Sequence, residues 1–148
     1  MKRQSFMEIA LEEARQAADR GEVPVGAVLA MGDQIIAQAG NRTLELKDPT
    51  AHAEILVIRA ACETLGSERL PGSSLYVTLE PCPMCAAAIS FARIETLYYG
   101  AGDVKGGAVE NGVRLYNAAT CHHRPDVYSA LAETESATLL RTFFKSRR

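Results

Sequence analysis

Two short stretches of this sequence bring together side chains that can hold a metal ion and move a proton. His52-Ala53-Glu54 supplies an imidazole and a carboxylate two residues apart. Pro81-Cys82-Pro83-Met84-Cys85 supplies two thiols three residues apart. Taken singly, His-x-Glu arises by chance and Cys-x-x-Cys is equally a redox pair. Taken together they offer the mixed nitrogen and sulfur set that zinc accepts in tetrahedral geometry. Each stretch stands where a helix is expected to begin. At that spacing Cys82 and Cys85 share a helix face. The unpaired N–H groups and the dipole of a first helical turn lower the cost of two thiolates there.

The number of ligands separates a structural site from a catalytic one. His52, Cys82 and Cys85 make three, and catalytic zinc keeps three protein ligands with a fourth position for water. Cys62 lies ten residues beyond His52 on the same expected helix, ~15 Å along its axis, too far to share the ion. Cys121, His122 and His123 stay open as a source of a fourth ligand, beside the plainer reading of a surface loop. Glu54 does not share a helix face with His52, because an i,i+2 pair points apart. It is therefore expected beside a metal-held water, whose pKa zinc brings toward ~7, and not on the ion. From there a carboxylate can take up that water's proton and pass it on to a substrate. The plainer role for Glu54 is a helix-start carboxylate that serves the dipole.

These residues need a frame. Residues ~4–20 read as a helix, with Phe6, Ile9, Ala10, Ala14 and Ala17 at helical spacing and Gly21 as the stop. Glu8, Glu12, Glu13 and Asp19 belong to its wet side. Val23 to Met31 reads as a strand, turned at Gly32-Asp33 into Gln34–Gly40. A polar loop over 41–50 leads to a helix from about Ala51 to Leu65, closed by Gly66. Ser74–Leu79 is a buried strand, and Pro83 suits the first position of a helix reaching about Arg93. Glu95–Tyr99 is a further strand. Gly100–Gly112 holds five glycines without a phosphate-binding pattern and reads as a flexible connection. Val113–Tyr116 is a candidate short strand, and the tail from ~Asp126 reads as one or two helices. Strands alternating with helices argue for α/β layers, and the early hairpin argues against a purely parallel sheet.

Composition bounds the rest. The 148 residues suit one domain spanning 1–148. Sixteen basic residues against eighteen acidic give a net charge of −2, so any nucleic-acid surface must be a local patch. With 47% hydrophobic and 23% charged residues, a disordered chain is excluded. No apolar run approaches the ~18 residues of a membrane span, and the N-terminus lacks the apolar core of a signal peptide. A soluble, cytoplasmic protein is expected. In a reducing compartment the four cysteines point to metal or redox chemistry before disulfides.

The motif pair resembles the cytidine deaminase superfamily. Further stretches are similar to its bacterial tRNA-specific adenosine deaminases: Glu22-Val-Pro-Val-Gly-Ala-Val28, Gly40-Asn-Arg42, Asp48-Pro-Thr-Ala-His-Ala-Glu-Ile55 and Leu75-Tyr-Val-Thr-Leu-Glu-Pro-Cys-Pro-Met-Cys85. Tyr99-Gly-Ala-Gly-Asp103 and Phe143-Phe-Lys-Ser-Arg-Arg148 add to it, so the resemblance runs from about Phe6 to the C-terminus. It implies a three-layer α/β/α fold with a five-stranded mixed sheet, and a homodimer. It implies hydrolytic deamination of the wobble adenosine in a tRNA anticodon to inosine. It implies one zinc ion per chain on His52, Cys82 and Cys85, Glu54 as the proton shuttle, and Asn41 at the base or its ribose. By itself, Asn41 after Gly40 reads as a turn residue. The sequence departs from the family over Lys105-Gly-Gly-Ala-Val-Glu-Asn-Gly112, which weakens any RNA contact carried over to that loop or to Asp103.

Arg141, Lys145, Arg147 and Arg148 crowd the last eight residues with no acid among them. They suit either an RNA backbone or the C-terminal end of a helix dipole. Phe143 and Phe144 read as core positions in preference to base-stacking ones. Two rivals remain. One is the same chemistry on a free base or nucleoside of the guanine or cytosine type. The other is a structural zinc module that binds RNA without catalysis.

Overall fold

A computed structural model describes residues 3–147 of the chain. The elements in order are α1 (Arg3–Asp19), β1 (Gly26–Met31), β2 (Gln34–Gly40), α2 (Ala53–Leu65), β3 (Ser73–Leu79), α3 (Pro83–Phe91), β4 (Thr96–Ala101), β5 (Asp126–Tyr128) and α4 (Glu133–Ser146). The strands form one mixed sheet in the order β2-β1-β3-β4-β5. β1 runs antiparallel to both β2 and β3, while β3, β4 and β5 are parallel.

Alternation along the strands builds the layers. Ala27 and Leu29 of β1, Leu75 and Val77 of β3, and Leu97 and Tyr99 of β4 face one way. They pack with Ala53, Val57 and Ala61 of α2 and with Ala86 and Ile89 of α3. Val28, Ala30 and Tyr76 face the other way, onto Phe6, Met7 and Ala10 of α1. α4 shares that second face, packing on β4, β3 and α1. The result is the α/β/α layering with a five-stranded mixed sheet that the family resemblance implies.

Turn chemistry sets the element ends. Gly32 turns the hairpin with φ +61°, and Gly66 ends α2 with φ +65°, its N–H donating to the Cys62 carbonyl. Pro83 occupies the first turn of α3, where its missing N–H leaves nothing unpaired.

Three expectations need correction. Val113–Tyr116 is not a strand, and a 3-10 turn covers Leu115–Asn117 instead. The fifth strand is Asp126–Tyr128, inside the tail expected to be helical. Three residues are too few to show alternation, and a ring stack across the sheet holds them. Tyr76, Tyr98 and Tyr128 are in register on β3, β4 and β5, with ring centroids 4.5 Å and 5.2 Å apart. Each such pair contributes about 0.5–1.5 kcal/mol beyond burial. Third, the glycine-rich segment after β4 is tied down by the carboxylate of Glu80.

Candidate metal centre

The sheet topology explains why two distant motifs meet. β1 lies antiparallel between β2 and β3, so β2 and β3 run the same way and end at the same edge. α2 follows β2 and α3 follows β3, so both helices start near that edge. His52 is the N-cap of α2 and Cys82 the N-cap of α3, each one residue outside the helical turn that the sequence suggested. Neither side chain caps its own helix, which leaves the imidazole and the thiol free to point at each other. Cys85 sits in the first turn of α3.

The His52 Nδ1 atom lies 3.7 Å from Cys82 Sγ and 3.5 Å from Cys85 Sγ. All three donor atoms fall within 4.8 Å of one another, and among the described residues no other group of His, Cys, Asp or Glu clusters in this way. Metal bonds of about 2.0–2.1 Å to nitrogen and about 2.3 Å to sulfur put tetrahedral N···S edges at roughly 3.6 Å. The spacing and the donor set both fit zinc. Hydrogen bonding from Cys85 holds Cys82 well below the usual thiol range, and the same pairing pushes Cys85 up. Hydrogen bonding to Cys82 raises His52, against the effect of burial. A divalent cation held here would take both sulfurs as thiolates.

Glu54 is 3% exposed. Burial pushes its carboxyl up to about 7, with its own backbone N–H and His52 pulling the other way. A carboxyl group poised near neutrality beside a metal site can both accept and return a proton at working pH. It stands in the first turn of α2, where the helix dipole offsets part of its burial.

Asn41 is 8% exposed and lies at the entrance to α2. Its Oδ1 accepts the N–H of Ala53 at 2.8 Å, capping the helix that carries His52 and Glu54. Arg20 donates to the Asn41 carbonyl oxygen at 3.1 Å. The loop after Asn41 is gathered by Glu22, a buried carboxylate that accepts from Thr43 Oγ1 at 3.3 Å and from the N–H groups of Leu44 and Glu45 at 3.2 and 2.9 Å.

The other candidates lie elsewhere. Cys121 touches Ser90 Oγ at 3.5 Å near the far end of α3, and His123 Nε2 bonds the Ile94 carbonyl at 2.6 Å. Neither joins His52. Cys62 belongs to the last two turns of α2. Phe143 is buried while Phe144 is half exposed. The Arg147 guanidinium stacks on Phe143 at 4.1 Å and comes within 3.9 Å of where a Cβ on Gly21 would stand. The end of α4 therefore reaches the turn that contains Arg20. Arg148 lies outside the described residues. Glu22 and Glu80 were missed as organising groups. Their only signal in the sequence is an acid set among apolar neighbours.

Comparison with known proteins extends this picture. The family model described as the cytidine and deoxycytidylate deaminase zinc-binding region matches residues 1–101, a span that holds all three donors. The tRNA-specific adenosine deaminase of Agrobacterium fabrum is 68% identical over 146 residues, 99% of this chain and 96% of its own. A solved structure from a study of A-to-I editing by tRNA:A34 deaminases at the wobble position superposes with a TM-score of 0.92. It is 70% identical and covers 93% of this chain and 100% of its own. A guanine deaminase from Nitrosomonas europaea shares the fold at a TM-score of 0.83 with 22% identity, over 96% of this chain and 84% of its own.

Proposed function

The chain belongs to the cytidine and deoxycytidylate deaminase zinc-binding family, and on that premise we propose that it converts the wobble adenosine of a tRNA anticodon to inosine. The reaction consumes water. A C–O bond forms at C6 of the adenine, the C6–N bond breaks, and ammonia leaves. Likeness to a tRNA-specific adenosine deaminase over 99% of the chain carries the choice of substrate. The arrangement of three donors beside one buried carboxyl group supports the reaction type.

His52, Cys82 and Cys85 would hold the ion. Zinc supplies a water-derived nucleophile at neutral pH. Glu54 would move two protons, the first from water to the adenine ring nitrogen and the second from the hydroxyl added at C6 to the departing amine. Its buried setting suits both tasks, since a carboxyl near neutrality is neither too weak a base nor too weak an acid. Asn41 presents its Nδ2 to the base or ribose while its Oδ1 remains on Ala53. The base must leave its stack to reach the site, as an anticodon loop allows. Arg20 reaches the Asn41 carbonyl and Arg42 follows Asn41 in the chain, both also paired with Glu45, and the two suit flanking phosphates. A tRNA substrate makes the cytoplasm the place of action. The whole chain serves as a single deaminase domain.

The same reading includes a homodimer. On the outer side of α3, Phe91 is 76% exposed. A cavity of about 220 Å³ lined by Ala87, Phe91, Leu115, Ala118 and Cys121 lies on one side of it, and a second hollow with Ile58 and Ala88 lies on the other. A protruding ring beside a hollow on the same face suits a self-complementary two-fold contact.

Incubation with an anticodon stem-loop bearing a wobble adenosine tests the reading. Inosine and ammonia should appear, and a zinc chelator should abolish both. Glu54→Ala should retain zinc and fold and lose at least about 10²–10⁴ in rate. Normal deamination by that variant overturns the mechanism. Rapid turnover of free guanine, cytosine or adenosine with none of the stem-loop overturns the substrate.

A further inference from the structure

Glu80 stands two residues before Cys82 and is 2% exposed. A buried carboxylate is unfavourable unless its lone pairs are filled. Oε1 accepts from the Asp103 N–H at 2.9 Å and from Asn111 Nδ2 at 2.7 Å. Oε2 accepts from the N–H groups of Val109, Glu110 and Asn111 at 3.0, 2.8 and 2.9 Å. All five donors belong to the segment that follows β4. Burial raises the Glu80 carboxyl, but these bonds outweigh it and hold it below the usual carboxylate range. The segment forms an anion-binding nest whose anion is a side chain of the protein itself. The fit leaves no room at Gly107, where a Cβ would lie 2.5 Å from Glu80 Cδ and 2.6 Å from the Asp103 carbonyl oxygen.

One side of this segment is fixed to the metal-bearing turn. The Ala108 N–H donates to the carbonyl of Pro81, the residue before Cys82, at 2.9 Å. The Leu115 N–H donates to the Ala108 carbonyl at 2.8 Å, and the Tyr116 hydroxyl donates to the Ala86 carbonyl of α3 at 2.9 Å. The other side faces solvent. Val104, Lys105 and Gly106 are exposed, and Asp103 accepts from the N–H groups of Lys105 and Gly106 at 3.1 and 2.9 Å. This surface lies at the carboxyl ends of β3 and β4, where sheets of this kind take their ligands.

We propose that Glu80 is a positioning residue for the RNA. By gathering five N–H groups it fixes residues 103–111 against Pro81, next to Cys82, and the RNA that flanks the edited base rests on the exposed side of that segment. The proposal depends on the tRNA reading above. Glu80 touches neither the base nor the ion and acts only through this segment.

Glu80→Gln keeps the shape and turns an NH2 group toward donors that need an acceptor. In the zinc-loaded full chain, KM for the stem-loop should rise by about tenfold or more while kcat stays within about threefold, the signature of lost binding common to ground and transition states. Zinc content should stay at one per chain. A loss of structure alone would lower the amount of active enzyme and leave KM where it was. An unchanged KM with zinc retained overturns the proposal. Should Glu80→Gln fail to fold or lose zinc, Asn111→Ala removes only the Nδ2 donor and should raise KM by about threefold. A KM equal to that of the unaltered chain in that variant likewise overturns it. If the unaltered chain does not deaminate the stem-loop, the substrate reading fails and this proposal falls with it. If it does, and neither variant moves KM, only the role of Glu80 falls.

Discussion

The carboxamide of Asn41 accepts the N–H of Ala53 through Oδ1, while no described group accepts from its Nδ2. Two functions are therefore separable within one side chain. Asn41→Asp keeps an oxygen for the helix cap and loses the amide donor. Its thermal midpoint and zinc content should match the unaltered chain, while KM for the stem-loop rises. Asn41→Ala loses both groups, so a cap loss of about 1 kcal/mol should appear as well. An Asp variant with unaltered KM would remove Asn41 from the substrate. At this scale the donor set could be read from the sequence, because ligand chemistry depends on residue type and short spacing. The cap on Ala53 could not, since the two partners stand twelve positions apart across a loop.

α1 packs closely on the hairpin because β1 and β2 carry glycine where it crosses. A Cβ on Gly26 would lie 1.9 Å from the Ala10 carbonyl oxygen, and one on Gly40 would lie 2.6 Å from that of Glu13. Both obstacles are backbone and cannot rotate away. Gly32 differs, because its φ of +61° is strained for other residues but nothing lies within 4 Å of a Cβ there. In urea titrations Gly32→Ala should lose about 1–2 kcal/mol, the strain of the left-handed region. Gly26→Ala should lose about 3 kcal/mol or more, the range of severe overpacking. A Gly26→Ala variant as stable as Gly32→Ala would show that α1 moves freely on the sheet. Most elements were legible from periodicity and turn residues. β5 was not, because its three residues are held by tyrosine stacking across the sheet and carry no pattern of their own.

On the scale of the molecule, the proposed dimer rests on the face around the exposed Phe91. Phe91→Asp puts a charge where a second copy would bury a ring. Sedimentation should show the unaltered chain near twice its 16.0 kDa and the variant as a monomer. An unaltered chain that is monomeric at micromolar concentration would overturn the dimer. α4 matters at the same scale. It begins beside β4 and ends with Arg147 against the turn holding Arg20 and Gly21. No helix among the described residues is long and apolar enough to cross a membrane.

The sequence by itself determined the ligand types, the position of each motif at a helix start, and the alternation of strands and helices, because each of these is encoded within a few adjacent residues. Tertiary structure alone decided three things. It brought His52 to the two thiols, kept Cys121 and His123 away from them, and wrapped residues 103–111 around Glu80. The physical reason is that these contacts join residues 23 to 33 positions apart, through the direction of β1 between its neighbours and through hydrogen bonds to buried charge, neither of which leaves a local pattern in the chain.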